Sequence, residues 1–288
     1  MFQRSIWSVL AWAAGLCGTA AALGQTTRDE VLSKLLFLEG PVVTYYPAAG
    51  RDRAENIQHL TQEVTRYYAE RTAATLTVRV ALVGRSDVAG VNPPFTRMLP
   101  GTSPGPIHTV VVPIGRGHAL DIVVQQVVHR NAALQEFGLS ADELSDKFTE
   151  LTMLHDLGHR YARAGVDPAP GWYSEFVASY LAYSFLTDRR PEDAHLWTLF
   201  CRAFLEHITP NSRPIGDAHV LAGDYAWYLG SLQQRVSEGH ARYGRDFPQQ
   251  LRAAVQEHGS ASDWESARRL LERASPGFDE WSRQHHRD

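Results

Sequence analysis

Two histidines, His155 and His159, stand four positions apart. A carboxylate, Glu175, follows in a stretch that is otherwise aromatic, apolar or small and polar (GWYSEFVASYLAYSFL, 171–186). This set suits the binding of a divalent metal ion, because residues at i and i+4 of a helix are neighbours and two imidazoles there can converge on one ion. Leu144, Phe148, Leu151, His155 and Ala162 follow a helical stripe, which turns the pair inward rather than toward bulk water. Asp156 adds a carboxylate beside the first histidine. The spacing by itself discriminates poorly. With 13 histidines among 288 residues, chance yields about half of one such pair, and two inward histidines also serve as satisfied core residues.

Glu175 adds the discriminating feature. A lone carboxylate in an apolar helix is costly to bury unless it is paired or metal-bound. The short turn VDPAPG (166–171) can bring the start of the second helix beside the histidine pair. His155, His159 and Glu175 would then offer two nitrogens and an oxygen, with a fourth position open to water. That is the ligand count of a catalytic zinc site. The competing reading leaves Glu175 exposed in the first turn of its helix, where the helix dipole favours it.

HDLGH followed by WYSEF-x-AS resembles the gluzincin zinc metallopeptidases, the group that includes thermolysin and the aminopeptidase N family. Their pattern is HExxH on one helix and Glu on the next. Specific matching covers about residues 151–180, and the rest is similarity of layout. The resemblance implies a zincin-like fold, zinc as cofactor, a peptide or protein substrate, and His155, His159 and Glu175 as metal ligands. It implies that the strand at 107–113 borders the cleft, where an extended peptide can pair. It further implies a tyrosine donor to the oxyanion, Tyr225 or otherwise Tyr228, and a hydrogen bond from Ser179 behind a ligand.

One departure bears on catalysis. The family's general base is Glu, and this chain carries Asp156. Asp is one methylene shorter, so its oxygens sit roughly 1–1.5 Å back, a misplacement that can cost about 10²-fold. The expectation therefore divides between a zinc-dependent peptidase and a zinc-binding protein of the same fold with weak or no turnover. LHDLGH also resembles the His-Asp core of HD-domain metal phosphohydrolases. In that reading Asp156 is a ligand, His129 an upstream partner, and Asp188, Asp217 or Asp224 a downstream one. Two strands ahead of the motif, and a Glu175 left without a role, count against it.

The elements that must position these residues follow from periodicity. Helices are predicted at 28–38, 52–71 and 119–136. TLTVRVALVG (75–84) alternates as a half-buried strand, IHTVVVPIG (107–115) reads as a second, and the Pro/Gly-rich 92–106 between them as loop. Ser140 to Glu143 has capping-box spacing and Gly165 suits a C-terminal stop, which brackets one long helix. Further helices are expected from near Ser174 to Thr187 and at 192–208, 219–242, 247–258 and 262–274, the last with a capping box from Ser262 to Glu265. The fold class is α+β: a mixed N-terminal lobe with a small sheet (25–135), then a mainly helical lobe (136–288).

Composition bounds the remainder. The chain is 44% hydrophobic and 21% charged with net charge −4, which excludes a disordered polar chain and gives no basic surplus for nucleic acid. Residues 1–24 combine Arg4, a short apolar run and small residues, the pattern of a cleavable secretory signal. The expected mature protein is exported, periplasmic or extracellular, without stable membrane insertion. Cleavage would leave Cys201 alone, in an apolar helical stretch where it reads as a buried small hydrophobe.

Overall fold

The computed structural model describes residues 28–84, 101–102, 107–117, 119–166, 171–210 and 225–280. The proposed signal segment and Cys17 lie outside them. No described helix is long and apolar enough to cross a membrane.

The chain enters through a short helix, α1 (Arg28–Leu32). It closes in turns at Lys34 and Leu35, and β1 (Leu36–Leu38) follows. The helix expected over 28–38 is therefore corrected at its second half. β1 pairs antiparallel with β2 (Val43–Tyr46), Leu36 facing Tyr46. This strand pairing overrides the local helical pattern. α2 (Arg51–Thr72) then crosses over to β3 (Thr77–Gly84), which lies parallel to β2. The buried face of α2 (Ala54, Ile57, Leu60, Val64, Tyr67 and Tyr68) has the predicted helical period.

β3 pairs in parallel with β5 (Ile107–Ile114) along its full length, Thr77 facing Ile107 and Gly84 facing Ile114. β4 (Gly101–Thr102) runs antiparallel on the outer side of β5, opposite Val110 and Val111. Two sequence expectations change here. Part of the predicted 92–106 loop is a strand, and β4, not β5, forms the sheet border there. The five described strands run in the order β1-β2-β3-β5-β4. β3 is also buried on both faces rather than half-buried. Val78, Val80 and Leu82 enter the main core, while Ala81 and Val83 meet Val31 and Leu32 of α1.

The predicted helix at 119–136 is two helices, α3 (Ala119–Val128) and α4 (Ala132–Gln135). The break falls at Asn131, whose side chain accepts from Leu134 N at 3.1 Å and caps α4. α5 (Ala141–Gly165) starts with the expected capping box. Glu143 N donates to Ser140 Oγ at 3.2 Å, and Ser140 N donates to Glu143 Oε2 at 2.8 Å. Gly165 does not end α5 by a left-handed turn, since the residue after it, Val166, is right-handed. Its missing side chain instead lets α5 touch the backbone of Thr72.

α6 (Gly171–Arg189), α7 (Pro191–His207), α8 (Tyr225–Tyr243), α9 (Phe247–His258) and α10 (Trp264–Ala274) complete the helical part. The box on α10 is built by Asp263 and Ser266, one residue beyond the predicted Ser262 and Glu265. Glu265 pairs with Arg268 instead. The molecule is mixed α+β. A single hydrophobic cluster runs from Val42 on the sheet side through α2, α5 and α6 to Phe278, so both parts of the chain line one core. Cys201 is buried in it as a free thiol, as expected.

Candidate metal centre

α5 holds His155 and His159 on one face because its other faces are anchored. Leu154 and Leu157 are buried in the core, and Tyr68 of α2 donates to Leu154 O at 3.0 Å. α6 packs against α5 where Gly158 opens the way. A Cβ at position 158 would stand 2.6 Å from Ala178 O and 3.1 Å from Ala178 Cα. Glycine in a helix interior costs about 1 kcal/mol relative to alanine. At Gly158 the missing Cβ permits the close contact that brings Glu175 over the histidines.

Three ligand atoms converge there. His155 Nε2 lies 3.1 Å from His159 Nε2 and 3.1 Å from Glu175 Oε2. His159 Nε2 lies 3.4 Å from Glu175 Oε1. Ligands about 2.0–2.1 Å from a tetrahedral zinc are separated from each other by about 3.4 Å, so these spacings fit such an ion. The ring planes stand at 88° to each other. His155 is only 2% exposed, whereas the His159 and Glu175 side chains are 24% and 30% exposed. The centre is therefore closed on one side and reachable on the other. Among the described residues, these three form the group of His, Cys, Asp and Glu side chains able to hold a metal.

The outer nitrogens are also engaged. Ser179 Oγ lies 2.9 Å from His155 Nδ1, and Ser174 Oγ lies 3.1 Å from His159 Nδ1. With each hydroxyl accepting from an Nδ1–H, both Nε2 lone pairs face each other and the carboxylate of Glu175. Such a cluster of acceptors repels itself unless a cation or a proton sits among them. This donor set fits a divalent metal. Ser179 was legible from its place one turn after Glu175. Ser174 was missed, although it immediately precedes that carboxylate.

The electrostatics agree with this crowding. Burial pulls the His155 imidazole below its usual value, against the pull of Glu175. Burial acts the same way on His159, but the charges of Glu175 and Asp156, with the hydrogen bond to Glu175, together outweigh it and leave that ring raised. For Glu175 burial pushes upward, and the two histidines overcome it, holding the carboxyl far below the usual carboxylate range.

Asp156 is half-buried beside the triad, and its charge acts on His159 and on Arg160. Tyr225 opens α8, and its side chain lies outside the described part of the structure. Tyr228, one turn on, is buried, and burial together with the charge of Glu175 raises its phenol. His108 on β5 was missed by the sequence reading. Its Nδ1 is buried without a hydrogen-bond partner among the described residues, and burial together with Arg160 lowers its pKa.

Of the further partners in the phosphohydrolase reading, the described His129 and Asp188 do not join the triad. His129 is exposed after α3. Asp188 accepts from Tyr67 Oη at 2.9 Å and faces Arg245 at 3.6 Å. Asp217 and Asp224 lie outside the described residues. Comparison of the chain with protein-family models, curated proteins and solved structures finds no match.

Proposed function

We propose that this protein is an exported, zinc-dependent, metallopeptidase-like hydrolase of gluzincin type. The observation that carries the reading is the convergence of His155, His159 and Glu175 within 3.1–3.4 Å of one another. The setting supports it: a helix bearing HDxxH, a following helix bearing Glu, and an antiparallel strand at the sheet border near the first helix. A divalent ion held by these residues would polarise a peptide carbonyl and lower the pKa of a water molecule.

The chain's own residues then divide the work. Asp156, beside the triad, accepts the proton from the attacking water and returns it to the leaving amine. Tyr228 or Tyr225 donates a hydrogen bond to the developing oxyanion. β4 offers backbone groups to an extended peptide. A specific observation favours a second reading, a zinc-binding protein with little turnover: Asp156 is one methylene shorter than the glutamate of the family pattern.

The decisive experiment is metal analysis of the purified protein with a broad peptide library. About one zinc per chain is expected, and Glu175→Ala should lose it. Full zinc retention by Glu175→Ala overturns the site. Zinc without cleavage of any peptide selects the binding reading. Two metals per chain, or a preference for iron or manganese, supports a phosphohydrolase instead.

A further inference from the structure

The two serines behind the histidines and the carboxylate ligand all come from one helix. On α6, Ser174 directly precedes Glu175, and Ser179 lies one turn beyond it. Ser179 is 3% exposed. Its Oγ stands 2.9 Å from His155 Nδ1, and the Oγ of Ser174 stands 3.1 Å from His159 Nδ1. Among the described residues, no carboxylate reaches either Nδ1.

We infer that Ser174 and Ser179 are paired positioning residues that lock both imidazoles as Nδ1–H tautomers, and that this neutral backing gives the protein a weakly held, exchangeable metal ion. The inference rests on the metal-centre reading above. A neutral imidazole carries one proton and one lone pair, so the nitrogen away from the metal must donate to something. A carboxylate in that place orients the ring and also makes the ligand more basic. A hydroxyl orients the ring and adds no charge. With two neutral histidines and one carboxylate, a divalent ion keeps a local charge of about +1. The ion is therefore strongly electron-withdrawing, yet less firmly held than one backed by carboxylates.

The test uses the full chain, zinc competition against a chromophoric chelator, and absorption spectra of the cobalt-loaded protein. Ser179→Ala and Ser174→Ala should each weaken zinc binding about 10–100-fold and alter the cobalt bands, while the metal-free unfolding midpoint measures separately the cost of the lost hydrogen bond. Ser179→Asp should tighten zinc about 10-fold. The inference is overturned if both alanine variants bind zinc as the wild type does with unchanged spectra, or if a folded Ser179→Asp binds more weakly. A loss at one serine alone overturns the pairing. Failure of the metal centre itself reads differently: the wild type then takes up no zinc, or Glu175→Ala keeps it.

Discussion

Beside the triad stands a carboxylate with a short reach. Asp156 lies close enough for its charge to raise the His159 imidazole, but its oxygens are set back from where a glutamate would place them. On the proposed peptidase reading, Asp156→Glu should raise peptide hydrolysis by up to about 10²-fold, and Asp156→Asn should abolish it. Turnover of matched variants on one peptide decides this, and a slower Asp156→Glu enzyme would show that the shorter side chain is the fitted one. A second prediction concerns pH. The carboxylates of Glu175 and Asp156 leave His159 raised despite burial, so metal-free protein retains a proton in the triad above the ordinary histidine range. Zinc must expel that proton, so affinity should fall as pH drops through the raised pKa, by about one proton per ion. Chelator competition between pH 6 and 8 measures the slope, and a flat profile contradicts it. At this scale the convergence of His155, His159 and Glu175 was legible because metal chemistry needs few residue types at few spacings. Ser174 and His108 were not, because a serine or a lone histidine has many other uses and only the fold shows what it faces.

Helices whose ends carry chemical signals were read closely, as α5 and α9 show. The short strands β1 and β2 were not read, because β2 owes its conformation to β3, distant in sequence, and β1 in turn to β2. The asparagine break between α3 and α4 was missed because apolar positions resume at once after the polar His129-Arg130-Asn131, which hid the cap. Gly158 shows an element-scale constraint that sequence cannot display, since the clash it avoids lies on another helix. Gly158→Ala should push α6 from α5 and cost about 1–3 kcal/mol of stability, with loss of zinc affinity. Gly230→Ala provides the comparison. Its Cβ would stand 2.5 Å from Cys201 O at the contact between α7 and α8, so it should lower stability similarly and leave zinc affinity intact. Thermal unfolding of the metal-free proteins and zinc titration separate the two, and equal affinity loss in both would refute the assignment.

Over the whole molecule, charges on α2, α5 and α7 meet at Glu150. Its Oε2 lies 3.3 Å from Lys147 Nζ, and its side chain is 17% exposed. Burial raises the Glu150 carboxyl, and the attraction of Lys147 and Arg53 does not fully reverse this. A carboxyl raised in the folded state binds its proton more readily there than when unfolded, so its ionised form disfavours folding. That penalty applies above the folded pKa and disappears as pH falls below the unfolded value, near 4.3. Glu150→Gln should therefore raise the unfolding temperature at pH 7, and the gain should vanish near pH 4. A gain that persists at pH 4 would point to packing instead.

The α/β and helical parts were both legible from the switch in periodicity near residue 136, but their sharing of a core was not. That continuity has a consequence for inheritance. Tyr67 and Tyr68 of α2 pack directly on Phe185 of α6, so a gene fusion joining helices 141–280 to another sheet would strand these aromatic faces in water. Recombination cannot trade the helices that carry the triad as a module. The heritable unit spans sheet and helices together, and divergence among descendants would fall on the open side of the triad, where His159 and Glu175 meet solvent.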